Sequence, residues 1–112
     1  MLIALPTSGG KLCMHFGHCE RFEIFEVDEN EKKVISKTVA VPPPHEPGLL
    51  PRWLHGEGID VVIAGGMGQR ARQLFAQSGV KVICGAQPAD TESVVCDFLN
   101  DTLEIGDNVC DH

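Results

Sequence analysis

Four side chains that bind metals stand within seven consecutive residues, in the segment CMHFGHC at positions 13–19. Cys13 and Cys19 flank this segment, and His15 and His18 lie between them. Thiolates and imidazoles prefer soft or borderline metals, such as copper(I), zinc and iron–sulfur units, over magnesium or calcium. The spacing matches neither a zinc-finger knuckle nor a C-x-x-C redox pair. We therefore interpret the segment as a site for a metal ion or a metallocluster.

The competing interpretation is a packed turn, because free cysteine is often buried and packs like a small hydrophobic residue. We predict that core role for Cys84, within VKVICG, and for Cys96, in the last helical segment. Cys13 and Cys19 differ from these two because they flank a glycine-containing loop with histidines beside them. Binding residues are concentrated on such loops, which favours the ligand role.

A second pair of metal-binding side chains ends the sequence. Cys110 and His112 form a C-x-H pair that repeats the spacing at the start of the first segment. Residues 104–112 show no apolar periodicity, and we predict that they form a tail after a domain of residues 1–103. Two hypotheses stay open: the tail closes over the site with two further ligands, or it is an incidental chain end.

A glycine-rich segment, GGMGQRA, follows an apolar run that is typical of a buried strand. Its pattern Gly66-x-Gly68-x-x-Ala71 formally fits the dinucleotide-binding fingerprint at a strand-to-helix turn. The acidic residue expected at the end of the next strand is missing, since Cys84-Gly85 stands there. We therefore do not expect a bound nicotinamide or flavin cofactor.

The same segment suits a different ligand. A glycine-rich helix start presents backbone N–H groups to an anion, including an anionic metal cluster. We predict cofactor contacts at Gly66, Met67 and Gly68. His45, in the proline-rich loop, is a weaker candidate for the same cofactor, because a histidine beside prolines is usually solvated.

Apolar patterning predicts one α/β domain with a five-stranded mixed sheet and flanking helices. The expected strands are residues 2–5, 22–27, 34–41, 60–66 and 80–85. The second and third should form an antiparallel hairpin, and the last two are of the fully buried, parallel type. Helices should carry Leu50, Trp53 and Leu54, then Ala71, Leu74 and Phe75, then Val94, Val95, Phe98 and Leu99.

Charge and hydropathy exclude two classes of partner. The chain has 16 acidic and 9 basic residues, a net charge of −7, and no basic stripe, so nucleic acid is not expected. No apolar run approaches the roughly 20 residues that span a bilayer. The start, MLIALPTSGGK, has neither a basic lead-in nor a small-residue cleavage site, which predicts no signal peptide and a cytoplasmic location.

Three segments in this order, HFGHCERFEIFEVD, DVVIAGGMGQRA and GVKVICGA, resemble the dinitrogenase iron–molybdenum cofactor biosynthesis family. That family includes NifX- and NafY-type carriers and the C-terminal part of NifB-type proteins. The resemblance covers about residues 2–104 and implies a ribonuclease H-like fold and binding of metalloclusters without catalysis. The histidine of the family's HFG motif corresponds to His15. Ribonuclease activity is not expected, because the first strand, LIAL, lacks the carboxylates that hold its metals.

Two further segments, PPPHEPGLLPRWL and NVCDH, look like those of small stand-alone members encoded near Mrp-type iron–sulfur carrier ATPases. This resemblance implies such an ATPase as a partner. The leading hypothesis is a non-catalytic carrier or assembly factor for an iron–sulfur or molybdenum-containing cluster. The alternative is an interaction module that holds structural zinc, or no metal, and regulates a partner ATPase; a small redox protein is a third hypothesis. The sequence leaves the oligomeric state open.

Overall fold

The sheet is organised around its first strand, which other strands flank on both sides. The computed structural model describes residues 1–13, 16, 19–42, 49–87, 89–103 and 105–106. The strands are β1 (Leu2–Ser8), β2 (Lys11–Leu12), β3 (Arg21–Asp28), β4 (Lys33–Ala40), β5 (Val61–Ile63) and β6 (Lys81–Ile83). The helices are α1 (Leu49–Gly56), α2 (Gln69–Ser78) and α3 (Thr91–Leu99). None of these helices is long and apolar enough to cross a membrane.

The strands form a mixed sheet in the order β4-β3-β1-β5-β6. β3 pairs antiparallel with both β1 and β4, which confirms the predicted hairpin. β5 pairs parallel with β1 and with β6, as the buried apolar runs predicted. The carboxyl ends of β1, β5 and β6 therefore meet at the same edge of the sheet.

The predicted number of strands was wrong, because the described part of the chain contains six. The additional strand, β2, pairs antiparallel with the end of β1 through Thr7–Leu12 and Ser8–Lys11. Gly9 and Gly10 turn the chain between them with φ values of 63° and 82°, which glycine adopts at little cost. A strand of two residues has no periodicity to detect, so apolar patterning alone could not predict it.

Helices pack on both faces of the sheet, and each face has its own apolar core. Alternate residues of β1 point to opposite faces, as expected for a strand. Ile3 and Leu5 join the core under α3, whereas Ala4 joins the core under α1 and α2. The residues predicted for the inner faces of the helices pack into these cores as expected. The buried ones are Leu50, Leu54, Phe75, Val94, Val95 and Leu99.

The two cysteines assigned to the core differ in their surroundings. Cys84 is partly buried and packs against the core under α1 and α2. Cys96 is exposed, so its predicted core role was wrong. Val94, Val95 and Leu99 set the inner face of α3. At 3.6 residues per turn, the position after Val95 is rotated away from that face.

A buried carboxylate joins α3 to the sheet. Glu23 of β3 is 6% exposed, and it accepts a hydrogen bond of 2.7 Å from the Thr91 hydroxyl. The Nζ atom of Lys37 on β4 lies 3.0 Å from the same carboxylate oxygen. The hydrogen bond that Lys37 donates to Glu23 and the negative charge of Glu23 raise the pKa of Lys37. Burying a charge is favourable only when it is paired and hydrogen-bonded, and both conditions are met here.

We expect Thr91→Val to destabilise the fold by roughly 1.5–3 kcal/mol, the cost of losing a buried hydrogen bond to a charged group. The control is Thr38→Val, the same change at an exposed position of the edge strand β4. Chemical denaturation of both variants measures the difference. Equal unfolding free energies for the two variants would show that the Thr91–Glu23 contact does not hold α3.

Candidate metallocluster site

Both ends of the cysteine-containing segment are fixed to the end of β1. The backbone N–H of Cys13 donates to the carbonyl of Pro6 at 2.8 Å. The backbone N–H of Glu20 donates to the carbonyl of Thr7 at 2.9 Å. Because Pro6 and Thr7 are adjacent, the segment leaves and rejoins the sheet at one place. This brings Cys13 and Cys19 to the carboxyl end of β1.

Phe16 fixes the middle of the segment, and the sequence did not single it out. Its side chain is 4% exposed and packs edge-on against Phe22 of β3 and Phe75 of α2, with ring centroids 5.7 and 5.6 Å apart. Its backbone N–H donates to the carbonyl of Gly66 at 2.9 Å. One large apolar residue among metal-binding ones was the available signal, since such a residue requires burial.

The thiols of Cys13 and Cys19 are both partly buried, and a charge on Cys13 acts on Cys19. The pKa of Cys19 rises from 9.0 to about 11, first because burial penalises the thiolate. The negative charge that Cys13 would carry raises it further, and a hydrogen bond from its own backbone lowers it slightly. A bound cation would reverse the first two effects, because it supplies the opposite charge that two neighbouring thiolates need.

The glycine-rich segment follows β5 and borders the same edge of the sheet. Gly66 and Met67 are buried, whereas Gly68 is exposed and precedes α2 in an extended conformation. Met67 is fully buried, and its side chain packs in the core under α1 and α2. Among the described residues, no side chain caps the start of α2, and the first turn of the helix contains no acidic residue that would oppose the positive end of its dipole.

The last described residues attach to this edge as well. Ile105 forms an isolated bridge with Ala86, and the N–H of Gly106 donates to the carbonyl of Gly85 at 2.7 Å. The N–H of Gly85 in turn donates to the carbonyl of Gly65 at 2.8 Å. A Cβ at position 85 would lie 2.1 Å from the Gly106 carbonyl oxygen, and φ there is +89°, so only glycine fits.

The structure thus brings together part of the predicted site. Cys13, Cys19 and the segment Gly66–Gly68 lie around Phe16 and the carboxyl ends of the parallel strands. Among the described residues, no group of three or more metal-binding side chains occurs. The remaining predicted site residues lie outside the described part of the chain: His15, His18, His45, Cys110 and His112.

Comparison with known families identifies the chain. Its sequence matches the profile of the family described as "Dinitrogenase iron-molybdenum cofactor" over residues 1–101. The chain belongs to this family. The resemblance noted from the HFG and GGMG segments is therefore confirmed.

The chain is similar to one known protein in sequence and to several solved structures in fold. Protein MJ0580 from Methanocaldococcus jannaschii is 32% identical over 107 residues, which are 93% of this chain and 90% of that protein. The crystal structure of PH0822 is similar with a TM-score of 0.86 and 26% identity, covering 94% of each chain. The apo form of the orange protein from Desulfovibrio gigas has a TM-score of 0.73 and 20% identity, covering 96% of this chain and 93% of that one.

For this member of the dinitrogenase iron-molybdenum cofactor family, we expect slow alkylation of Cys19 in the metal-free protein. The rise of its pKa from 9.0 to about 11 lowers the thiolate fraction at pH 8 by roughly 100-fold. Iodoacetamide labelling followed by peptide mass spectrometry measures this, with the exposed Cys96 as the reference thiol.

Cys13→Ser provides the control for the cause of the shift. Removing the neighbouring thiol removes one of the two effects that raise the pKa, so Cys19 should react faster but still more slowly than Cys96. Equal labelling rates for Cys19 and Cys96 in the parent protein would contradict the burial of Cys19.

Proposed function

We propose that this protein binds a metallocluster of the iron–sulfur or iron–molybdenum type and carries it or assists its assembly, without catalysing a reaction of its own. The observation that carries the proposal is the pair of partly buried thiols, Cys13 and Cys19, held beside a glycine-rich segment. Thiolates are the preferred ligands of iron–sulfur clusters. Membership of the dinitrogenase iron-molybdenum cofactor family supports the same class of cargo.

Each part of the site has a separate role in this proposal. Cys13 and Cys19 supply anionic sulfur ligands, and His15 and His18 of the same segment supply imidazoles. The glycine-rich segment Gly66–Gly68 lets a cluster approach the backbone closely, and the start of α2, whose first turn has no acidic residue, stabilises its negative charge. His45 is a weaker candidate contact from the proline-rich loop.

The attachment of Gly106 favours the hypothesis that the tail supplies ligands. Cys110 follows Gly106 by four residues, and an extended chain spans at most about 3.6 Å per residue, so its reach is roughly 14 Å. Backbone hydrogen bonds join Gly106 to Gly85 and Gly85 to Gly65. The next residue, Gly66, accepts the hydrogen bond from the N–H of Phe16. We therefore propose that Cys110 and His112 close over the cargo bound by Cys13 and Cys19.

A single zinc ion is the second candidate cargo, because two thiolates and two imidazoles complete a tetrahedral site. In that case the protein acts as an interaction module. In both cases we propose an Mrp-type ATPase as the cytoplasmic partner that exchanges cargo with this protein or is regulated by it. Support for this partner comes from the segments PPPHEPGLLPRWL and NVCDH.

We expect Cys13→Ser combined with Cys19→Ser to lower affinity for the cargo at least tenfold, or roughly 1.4 kcal/mol, because both anionic ligands are lost. The full chain is reconstituted anaerobically with ferrous iron and sulfide, with and without molybdate, and bound metals and visible absorption are measured. Zinc binding is measured in parallel and separates the two cargoes, since zinc adds no visible colour.

Cys96→Ser is the matched control, because this exposed thiol lies on α3. It should leave metal uptake unchanged. The loop assignment fails if the double variant takes up as much metal as the parent protein and the Cys96 control.

We expect deletion of residues 109–112 to weaken cargo binding without lowering the unfolding free energy. The deletion removes Cys110 and His112 but keeps Gly106, whose hydrogen bond attaches the tail to the sheet. The combined variant Cys110→Ser and His112→Ala keeps the chain length and should weaken binding equally. Unchanged affinity in both variants would show that the tail is a bystander.

A further inference from the structure

A small basic cleft lies between α1 and α2, and it shares no residue with the candidate metallocluster site. Its volume is about 250 Å³. Three side chains on it can carry positive charge: Arg52 and His55 from α1, and Arg70 from α2. Arg52 and His55 are three residues apart and therefore occupy the same side of α1. Pro51 and Leu74 supply apolar surface between them.

This concentration of positive charge is unusual for so acidic a chain. The protein has 16 acidic and 9 basic residues, yet the sequences of α1 and α2 contain no aspartate or glutamate. The ion pairs found among the described residues involve Lys33 and Lys37 and neither arginine of the cleft. Glu57 follows α1 and is exposed, and it takes part in none of these ion pairs.

The position of Arg70 opposes the stability of its own helix. It is the second residue of α2, at the positive end of the helix dipole, where acidic residues are favourable and cations are not. The first turn contains no acidic residue that would compensate. A residue that breaks a local rule without a compensating contact is expected at functional positions. An anion bound in the cleft would give Arg70 the negative partner that the first turn of α2 does not supply.

We propose that this cleft binds a phosphate group. Arginine presents a planar fork of N–H donors that matches two oxygens of a phosphate, and two arginines with a histidine can surround one such group. Gln77 adds a neutral side-chain amide on the same side of α2, since it lies seven residues after Arg70. The volume of about 250 Å³ is large enough for one phosphate group beside these side chains.

The phosphate group has two possible sources, the free inorganic ion and a phosphate ester such as a mononucleotide. Both present the same oxygens to Arg52, His55 and Arg70. The full-length, metal-free protein is titrated with inorganic phosphate and, separately, with adenosine monophosphate, at constant ionic strength set with sodium chloride. Amide chemical shifts in α1 and α2 are followed by NMR.

We expect saturable shifts confined to the residues around the cleft. Arg52→Gln combined with Arg70→Gln should weaken binding at least tenfold. Arg21→Gln combined with Arg72→Gln is the control: it removes the same charge, and Arg21 lies on β3 whereas Arg72 lines a different groove, between α2 and β6. The control should stay within twofold of the parent. Tighter binding of phosphate or of the monophosphate then identifies the source.

Three results would overturn the proposal: shifts that sodium chloride alone reproduces, equal weakening in both double variants, or a glutamate-rich peptide that binds more tightly than either phosphate compound. The last result would assign the cleft to an acidic protein partner. Arg70→Gln alone provides a second test in case the double variant fails to fold, because it removes a cation from the unfavourable end of α2. Iron and sulfide uptake by the cleft variants should equal that of the parent, so failure here leaves the proposed function untouched.

Discussion

The burial of Phe16 is the constraint on which the candidate site depends. Its ring packs in the core against Phe22 and Phe75, and its backbone N–H donates a hydrogen bond to the carbonyl of Gly66. Burying a phenylalanine side chain contributes about 1.5–3 kcal/mol, far more than a short loop of polar residues obtains from its own contacts. A buried apolar residue therefore positions a segment whose cysteines and histidines are candidate metal ligands. Cys19 also packs against the core that Phe16 enters, so this packing positions one end of the segment directly.

The thiol pair is unfavourable when it is charged and unoccupied. Burial and the neighbouring charge of Cys13 both raise the pKa of Cys19, so a metal must displace a proton to bind there. Binding and release are thereby coupled to protonation. A resident structural metal gains nothing from such competition. The proposed carrier role does benefit, because a cargo has to leave again and a raised pKa weakens metal binding without altering the fold.

Most of the fold was predictable from the sequence, because long apolar patterns determine it. The hairpin of β3 and β4, the parallel strands and the inner faces of the helices follow from periods of two and 3.6 residues. β2 was not predictable, since two residues have no period. Cys96 was wrongly predicted to lie in the core, because cysteine is apolar enough to be buried. Its exposure is decided instead by its position on α3 relative to the buried Val95 and Leu99.

Residue chemistry alone suggests candidate ligands for the site, whereas the contacts that support the site depend on the fold. Residue chemistry indicated Cys13, Cys19 and the segment Gly66–Gly68, whereas the roles of Phe16 and Gly85 arise from contacts between distant parts of the chain. Phe16 N–H meets Gly66, fifty residues later in the sequence, and Gly85 meets the Gly106 carbonyl at a distance that no Cβ allows. Contacts of this kind depend on the sheet order, which no local pattern encodes.

That sheet order also explains why the site lies where it does. β1 is the strand at which antiparallel pairing with β3 gives way to parallel pairing with β5. In open sheets with parallel strands, ligands bind outside the carboxyl ends of the strands, where successive connections diverge and leave a crevice. Here the segments that follow β2, β5 and β6 converge on that edge through Phe16, Gly66 and Gly85. In the proposed function, the cysteines determine which cargo binds, whereas the topology of the sheet determines where the candidate site lies.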